Sequence, residues 1–93
     1  MTPKINRNKK EYKMSSREKY DQIYITIFSI SQNDLGEELI YNSIPAWDSI
    51  GHMSLVAELE EEFGVMLEMD DIIDFSSYNK GLETLQKYGV VFE

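Results

Sequence analysis

Residues 47–64 read WDSIGHMSLVAELEEEFG, and this stretch decides the fold. Asp48 and Ser49 are two helix N-capping residue types in a row, and Gly64 is the residue type that most readily closes a helix in a left-handed conformation. Between them Leu55, Val56, Leu59 and Phe63 recur at helical spacing and form one apolar stripe. The spacing predicts a helix over 49–63. Ile50, Met53 and Ala57 fall on a second, partly overlapping strip. Such a strip either meets a partner or ligand or serves the wide face of a helix in a bundle. Glu60, Glu61 and Glu62 crowd the last turn, where the negative end of the helix dipole makes each exposed carboxylate cost about 0.3–1 kcal/mol. Stability alone would favour lysine there, so the run reads as a partner-binding feature, with a solubilising face as its alternative.

Toward the N-terminus, Pro45 biases Ile44 to an extended conformation and ends any helix before it. Residues 31–47 then form a long connection. Leu35, Leu39, Ile40, Tyr41 and Ile44 predict that it is packed down, and Asp34-x-x-Glu37 predicts one short capped turn within it. Further upstream, Ser15-x-x-Glu18 is a capping box that opens a first helix, and Tyr20, Ile23, Tyr24, Ile27 and Phe28 carry its core stripe to an end near Ile30. Toward the C-terminus, residues 70–74 predict a short third helix bearing Ile72 and Ile73. A last helix starts at Ser76 or Ser77, with Tyr78, Leu82 and Leu85 as its stripe and Gly89 as its cap. The expected fold is all-α: a small four-helix bundle of three main helices and one short one.

Charge divides the chain. Residues 1–20 hold seven basic and two acidic groups, whereas residues 21–93 hold two basic and 15 acidic groups, within a net charge of −8. We read residues 1–14 as a flexible basic tail and 15–93 as the folded domain; Met14 offers an internal start. A body this acidic repels nucleic acid and anionic membrane and attracts basic protein surfaces. The apolar run 23–30 is too short to span a bilayer. Thr26 and Ser29 interrupt it and no small-residue cleavage site follows, so it does not read as a signal peptide. The absence of cysteine excludes disulfides and thiolate metal sites and fits a cytoplasmic setting, and the sole histidine, His52, argues against zinc. At 93 residues the chain has no depth for an enclosed catalytic cavity.

The segment around Ser49 resembles the acyl carrier protein family. Asp48, Ser49 and Ile50 match the family's Asp-Ser-(Leu/Ile/Met) opening of the second helix. Leu55, Val56, Leu59, Glu60, Glu61, Glu62 and Phe63 match its apolar pattern and the acidic run ending in Phe, and the similarity extends over about residues 16–89. The resemblance implies an acyl carrier protein-like bundle and a carrier rather than an enzyme. It implies that a phosphopantetheinyl transferase moves 4′-phosphopantetheine from coenzyme A onto the Ser49 hydroxyl. The arm's thiol then carries an acyl group as a thioester. Asp48, Ile50, Met53, Ala57, Glu60 and Glu61 would meet acyl-loading, acyl-transfer or synthase enzymes bearing basic patches, with the carrier a monomer. Gly51, His52 and Ser54 depart from the best-known fatty-acid carriers, which often hold acids at 51 and 54; the chain looks more like specialised carriers serving a single pathway.

The residues themselves fit that role, because a helix N-terminus favours a phosphate through its free N–H groups and positive dipole end. The bland alternative is that Ser49 is an ordinary N-cap. An aminoacyl or peptidyl carrier shares the same arm chemistry, and an unmodified acidic interaction module shares the same face. A hydrolase built on Asp48, Ser49 and His52 is disfavoured: Trp47 stands where a nucleophile elbow needs glycine, and nothing in the sequence orients His52, which reads as an exposed helix residue.

Overall fold

A computed structural model describes residues 14–92. Four helices follow one another: α1 (Ser16–Phe28), α2 (Ser49–Phe63), α3 (Met69–Asp74) and α4 (Tyr78–Lys87), with one 3-10 turn at Gln32–Asp34. Among the described residues there is no strand, only an isolated antiparallel bridge between Ile40 and Ser77. The expected helical bundle is therefore present. The tail expected at 1–14 lies, apart from exposed Met14, outside the described residues.

Local hydrogen bonding sets the helix ends. At α1 both halves of the capping box form: Ser15 Oγ accepts from the Glu18 N–H and Glu18 Oε1 accepts from the Ser15 N–H. The helix stops at Phe28, two residues before the expected end, because Ser29 turns into the left-handed region (φ 55°). At α2 the cap is Asp48, whose Oδ1 accepts from the Gly51 N–H at 2.9 Å, and Gly64 closes the helix at φ 65°. Ser77 caps α4 through the Lys80 N–H. α3 begins one residue earlier than expected, at Met69, with no side-chain cap.

The core is aromatic. Tyr20, Tyr24 and Phe28 of α1 meet Trp47, Phe75 and Tyr78, with Leu55, Val56 and Leu59 of α2 and Leu85 of α4. Tyr20 and Tyr24 pack edge to face, and Trp47 packs edge-on to Tyr24 and tilted against Phe28. The buried phenols need partners. Tyr20 donates to the Tyr78 carbonyl at 2.6 Å, so the 2.7 Å contact between the two hydroxyls has Tyr24 as donor. Tyr78 in turn donates to Asp21 and accepts from Arg17 Nε. Burial pushes the Tyr20 and Tyr24 hydroxyls well above the usual phenol range, and they remain neutral donors. Gly81 permits this packing: a Cβ there would lie 2.3 Å from both the Tyr20 hydroxyl and the Phe75 ring.

The connection 31–47 corrects two expectations. Leu39 and Trp47 are buried and Leu35 and Ile44 partly so, but Ile40 and Tyr41 are exposed. The short turn is capped by Ser31 and Asp34, not by Asp34 and Glu37: the Ser31 N–H donates to Asp34 Oδ2. The loop is fixed instead by backbone bonds to the start of α4. Tyr41 N–H donates to the Ser76 carbonyl and Tyr78 N–H to the Leu39 carbonyl, both at 2.9 Å.

Candidate functional site at the N-terminus of α2

Capping by Asp48 changes what Ser49 is. The aspartate takes the N-cap, so Ser49 becomes the first helical residue and its hydroxyl is not spent on a cap. Ser49 is exposed, and its Oγ lies 3.3 Å from the Tyr41 hydroxyl. The Ser49 and Ile50 N–H groups precede the first intrahelical hydrogen bond, which His52 N–H makes to the Asp48 carbonyl at 2.8 Å. An anion on Ser49 would therefore face free N–H groups at the positive end of a 15-residue helix.

Gly51 is obligatory here. A Cβ at this position would sit 2.0 Å from the Ala46 carbonyl oxygen and 3.3 Å from the Phe28 ring. The close approach of the loop to the first turn of α2 therefore leaves no room for an acidic side chain at 51.

His52 is not the exposed residue expected from the sequence. Its ring is half-buried, stacked on Trp47 and edge-on to Phe75. The Trp47 indole N–H donates to His52 Nδ1 at 3.0 Å, so the ring proton sits on Nε2, which donates to the Ile72 carbonyl at 2.9 Å. Both ring nitrogens are engaged, and neither serves as a base for Ser49. The imidazole joins the loop, α2 and α3.

α3 has six residues, too few to hold as an isolated helix. Besides His52, it is held at Asp71, which accepts from Lys87 and Tyr88, and just before its start, where Glu68 N–H donates to the Tyr88 hydroxyl. Lys87, then Tyr88, holds the Asp71 carboxyl below the ordinary carboxylate range. Between α2 and α3 lies an open cleft of about 360 Å³ that reaches Ser49. Met53, Met69, Ile72, Ile73 and Phe75 make most of its wall, with Tyr41 and His52 at one side. A larger depression of about 560 Å³ in the loop 33–44 includes no residue of α2 and no part of this site.

The remaining sequence-derived residues lie along α2. Asp48, Ile50, Met53 and Ala57 are exposed, with Ile50 and Met53 among the large apolar side chains open to solvent. The three acids of the run differ in what they hold. Glu60 Oε2 accepts from the Leu67 N–H at 2.8 Å and ties down the following loop, Glu62 pairs with Lys19 of α1 at 3.6 Å, and Glu61 is exposed. Sequence reasoning missed Tyr41, Met69 and Phe75 as parts of the site. Tyr41 precedes Ser49 by eight residues in a loop, and no periodicity links them.

Residues 47–82 match the family model described as a phosphopantetheine attachment site. This segment is a phosphopantetheine attachment site. The match begins at Trp47, includes α2 and α3 and ends within α4; it covers 36 of the chain's 93 residues and is consistent with a carrier of acyl carrier protein type. No curated protein and no solved structure matches the chain. The residues present fit a covalent 4′-phosphopantetheine: an exposed hydroxyl at the start of α2, N–H groups ahead of the first intrahelical hydrogen bond, and an apolar cleft beside them. Carriers of this kind work with transferase and synthase enzymes. Among the described residues no helix is long and apolar enough to cross a membrane.

Proposed function

We propose that Ser49 is the residue that bears the arm and that the protein carries an acyl group on it to partner enzymes. The observation that carries this reading is the comparison of the serines within 47–82. Ser77 spends its hydroxyl on capping α4, Ser54 lies mid-helix, and Ser76 precedes a helix already capped by Ser77. Ser49 alone among them combines exposure with a helix N-terminus capped by its neighbour.

In the attachment reaction, the Ser49 oxygen attacks the coenzyme A phosphorus that bears pantetheine. The pyrophosphate P–O bond breaks, adenosine 3′,5′-bisphosphate leaves, and the serine proton passes to a base on the phosphopantetheinyl transferase. The arm supplies a thiol that holds cargo as a thioester. Asp48 keeps the first turn of α2 in place, and the free N–H groups of Ser49 and Ile50 face the phosphate.

An acyl cargo is favoured over an aminoacyl or peptidyl one by the cleft wall, which contains no carboxylate to receive an ammonium group. Ile50, Met53 and Ala57, with Asp48, Glu60 and Glu61, form the face offered to partners with basic patches. We read residues 15–93 as the carrier unit, because α1 and the loop before Trp47 complete the core under the attachment site, and the protein as a cytoplasmic monomer without nucleic-acid or membrane ligands. The acidity of residues 21–93 supports the exclusion of nucleic acid.

Incubation with coenzyme A, Mg²⁺ and a broad-range transferase, followed by intact mass measurement, tests the reading. One added phosphopantetheine is expected on the native chain and none on Ser49→Ala. An unmodified native chain that is correctly folded overturns it and leaves an acidic interaction module.

A further inference from the structure

Tyr41 is an exposed aromatic residue held from several sides. Its N–H is bonded to the Ser76 carbonyl, next to the Ile40–Ser77 bridge. Its ring stands edge-on to Trp47 at 6.5 Å and to His52 at 5.6 Å. Asn42, which follows it, takes a left-handed conformation (φ 70°) and donates its N–H to the Trp47 carbonyl, closing the loop back onto the start of α2. This backbone path brings the phenol to the mouth of the cleft, where its one hydrogen-bond partner among the described residues is Ser49 Oγ at 3.3 Å.

That contact is longer than an ordinary O–H···O bond of about 2.7 Å. The serine hydroxyl is loosely held and readily surrendered. Esterification changes the pairing, because the serine oxygen then has no proton and an anionic phosphodiester lies beside it. The phenol can only donate, and a bond to an anion is stronger than one between neutral groups. The need for a donor is real: Asp48 adds negative charge next door, and no lysine or arginine lines the cleft.

We propose that Tyr41 is a positioning residue for the arm, its hydroxyl donating to the phosphodiester and turning the arm's first segment toward the α2–α3 cleft. The inference rests on Ser49 being the attachment residue. Tyr41→Phe removes the hydroxyl and keeps the ring, so the packing against Trp47 and His52 is retained.

The test compares the two proteins after loading with phosphopantetheine. In the native protein, nuclear Overhauser effects are expected between the geminal methyl groups of the arm and the methyl groups of Met53 or Met69. In Tyr41→Phe these fall about fivefold, the equivalent of one modest hydrogen bond, and the ³¹P resonance moves. Helical circular dichroism and the thermal midpoint of the unmodified variant stay at native values, which a purely structural role would not predict. Unchanged ³¹P resonance and unchanged arm contacts in a loaded Tyr41→Phe overturn the proposal. Absence of loading on the native chain overturns the Ser49 reading instead. Should the variant fail to fold, the native loaded protein decides: contacts between the Tyr41 ring protons and the methylene groups flanking the phosphorus support the proposal, and their absence overturns it.

Discussion

On the α1–α4 side of the molecule, Tyr20, Tyr24, Tyr78 and Trp47 are almost wholly buried, and each hydroxyl or indole N–H has a partner. On the α3 side, Met69 and Ile73 are each 69 % exposed, and the six-residue helix depends on His52, Lys87 and Tyr88. One flank is held by buried area and the other by a few side-chain tethers. Proteins place their moving parts where apolar burial is least. Here the least buried part is a wall of the cleft that reaches Ser49.

The largest expected effect tests the rigid flank. Trp47→Ala removes a buried indole and leaves His52 Nδ1 without its donor; a loss of about 3–5 kcal/mol is expected in urea denaturation. That is a large share of the roughly 5–15 kcal/mol typical of a domain. A loss below about 1 kcal/mol would mean that the aromatic cluster is not where stability resides.

A smaller, local effect is expected on the other flank. His52→Ala unties the Ile72 carbonyl at a modest global cost of about 1 kcal/mol. Amide hydrogen exchange over 69–74 should accelerate strongly while α1 keeps its protection. Equal loss in both helices would show that the two flanks unfold as one.

The smallest effect concerns acid. Lys87 and Tyr88 depress the folded-state pKa of Asp71 below its ordinary 3.8, so the contribution of this tether is complete above that value. It is lost as pH falls through the depressed folded value. As pH falls below about 3.8, an NMR titration should show α3 and the Lys87–Tyr88 region responding together with the Asp71 carboxyl while the α1 amides keep their folded positions, and Asp71→Asn should abolish that step. A simultaneous change in α1 would remove the distinction between the flanks.

The same division separates what the sequence announces from what it conceals. Features written within a few neighbouring residues were legible: the Ser15–Glu18 box, the α2 stripe, the Gly64 stop and the Asp48-Ser49 opening. Features built from distant residues were not. Ile40 and Tyr41 look like core residues in composition, but the backbone bonds to Ser76 and Tyr78 leave them outside. Glu60 reads as one of a run of free acids, yet it ties the Leu67 N–H across the turn. His52 acquires its role only when α3 folds back to present the Ile72 carbonyl. The start of α2 at Ser49 was legible because its signal is local, whereas the neighbouring phenol of Tyr41 arrives by a loop that no periodicity describes.

Trp47 is the chain's single tryptophan, fully buried two residues before Ser49 and stacked against the imidazole that bears on α3. Its emission therefore gives the molecule a built-in optical gauge. A group added at the start of α2, or a change in how α3 sits on His52, would act within reach of this fluorophore and could be watched in real time without a label.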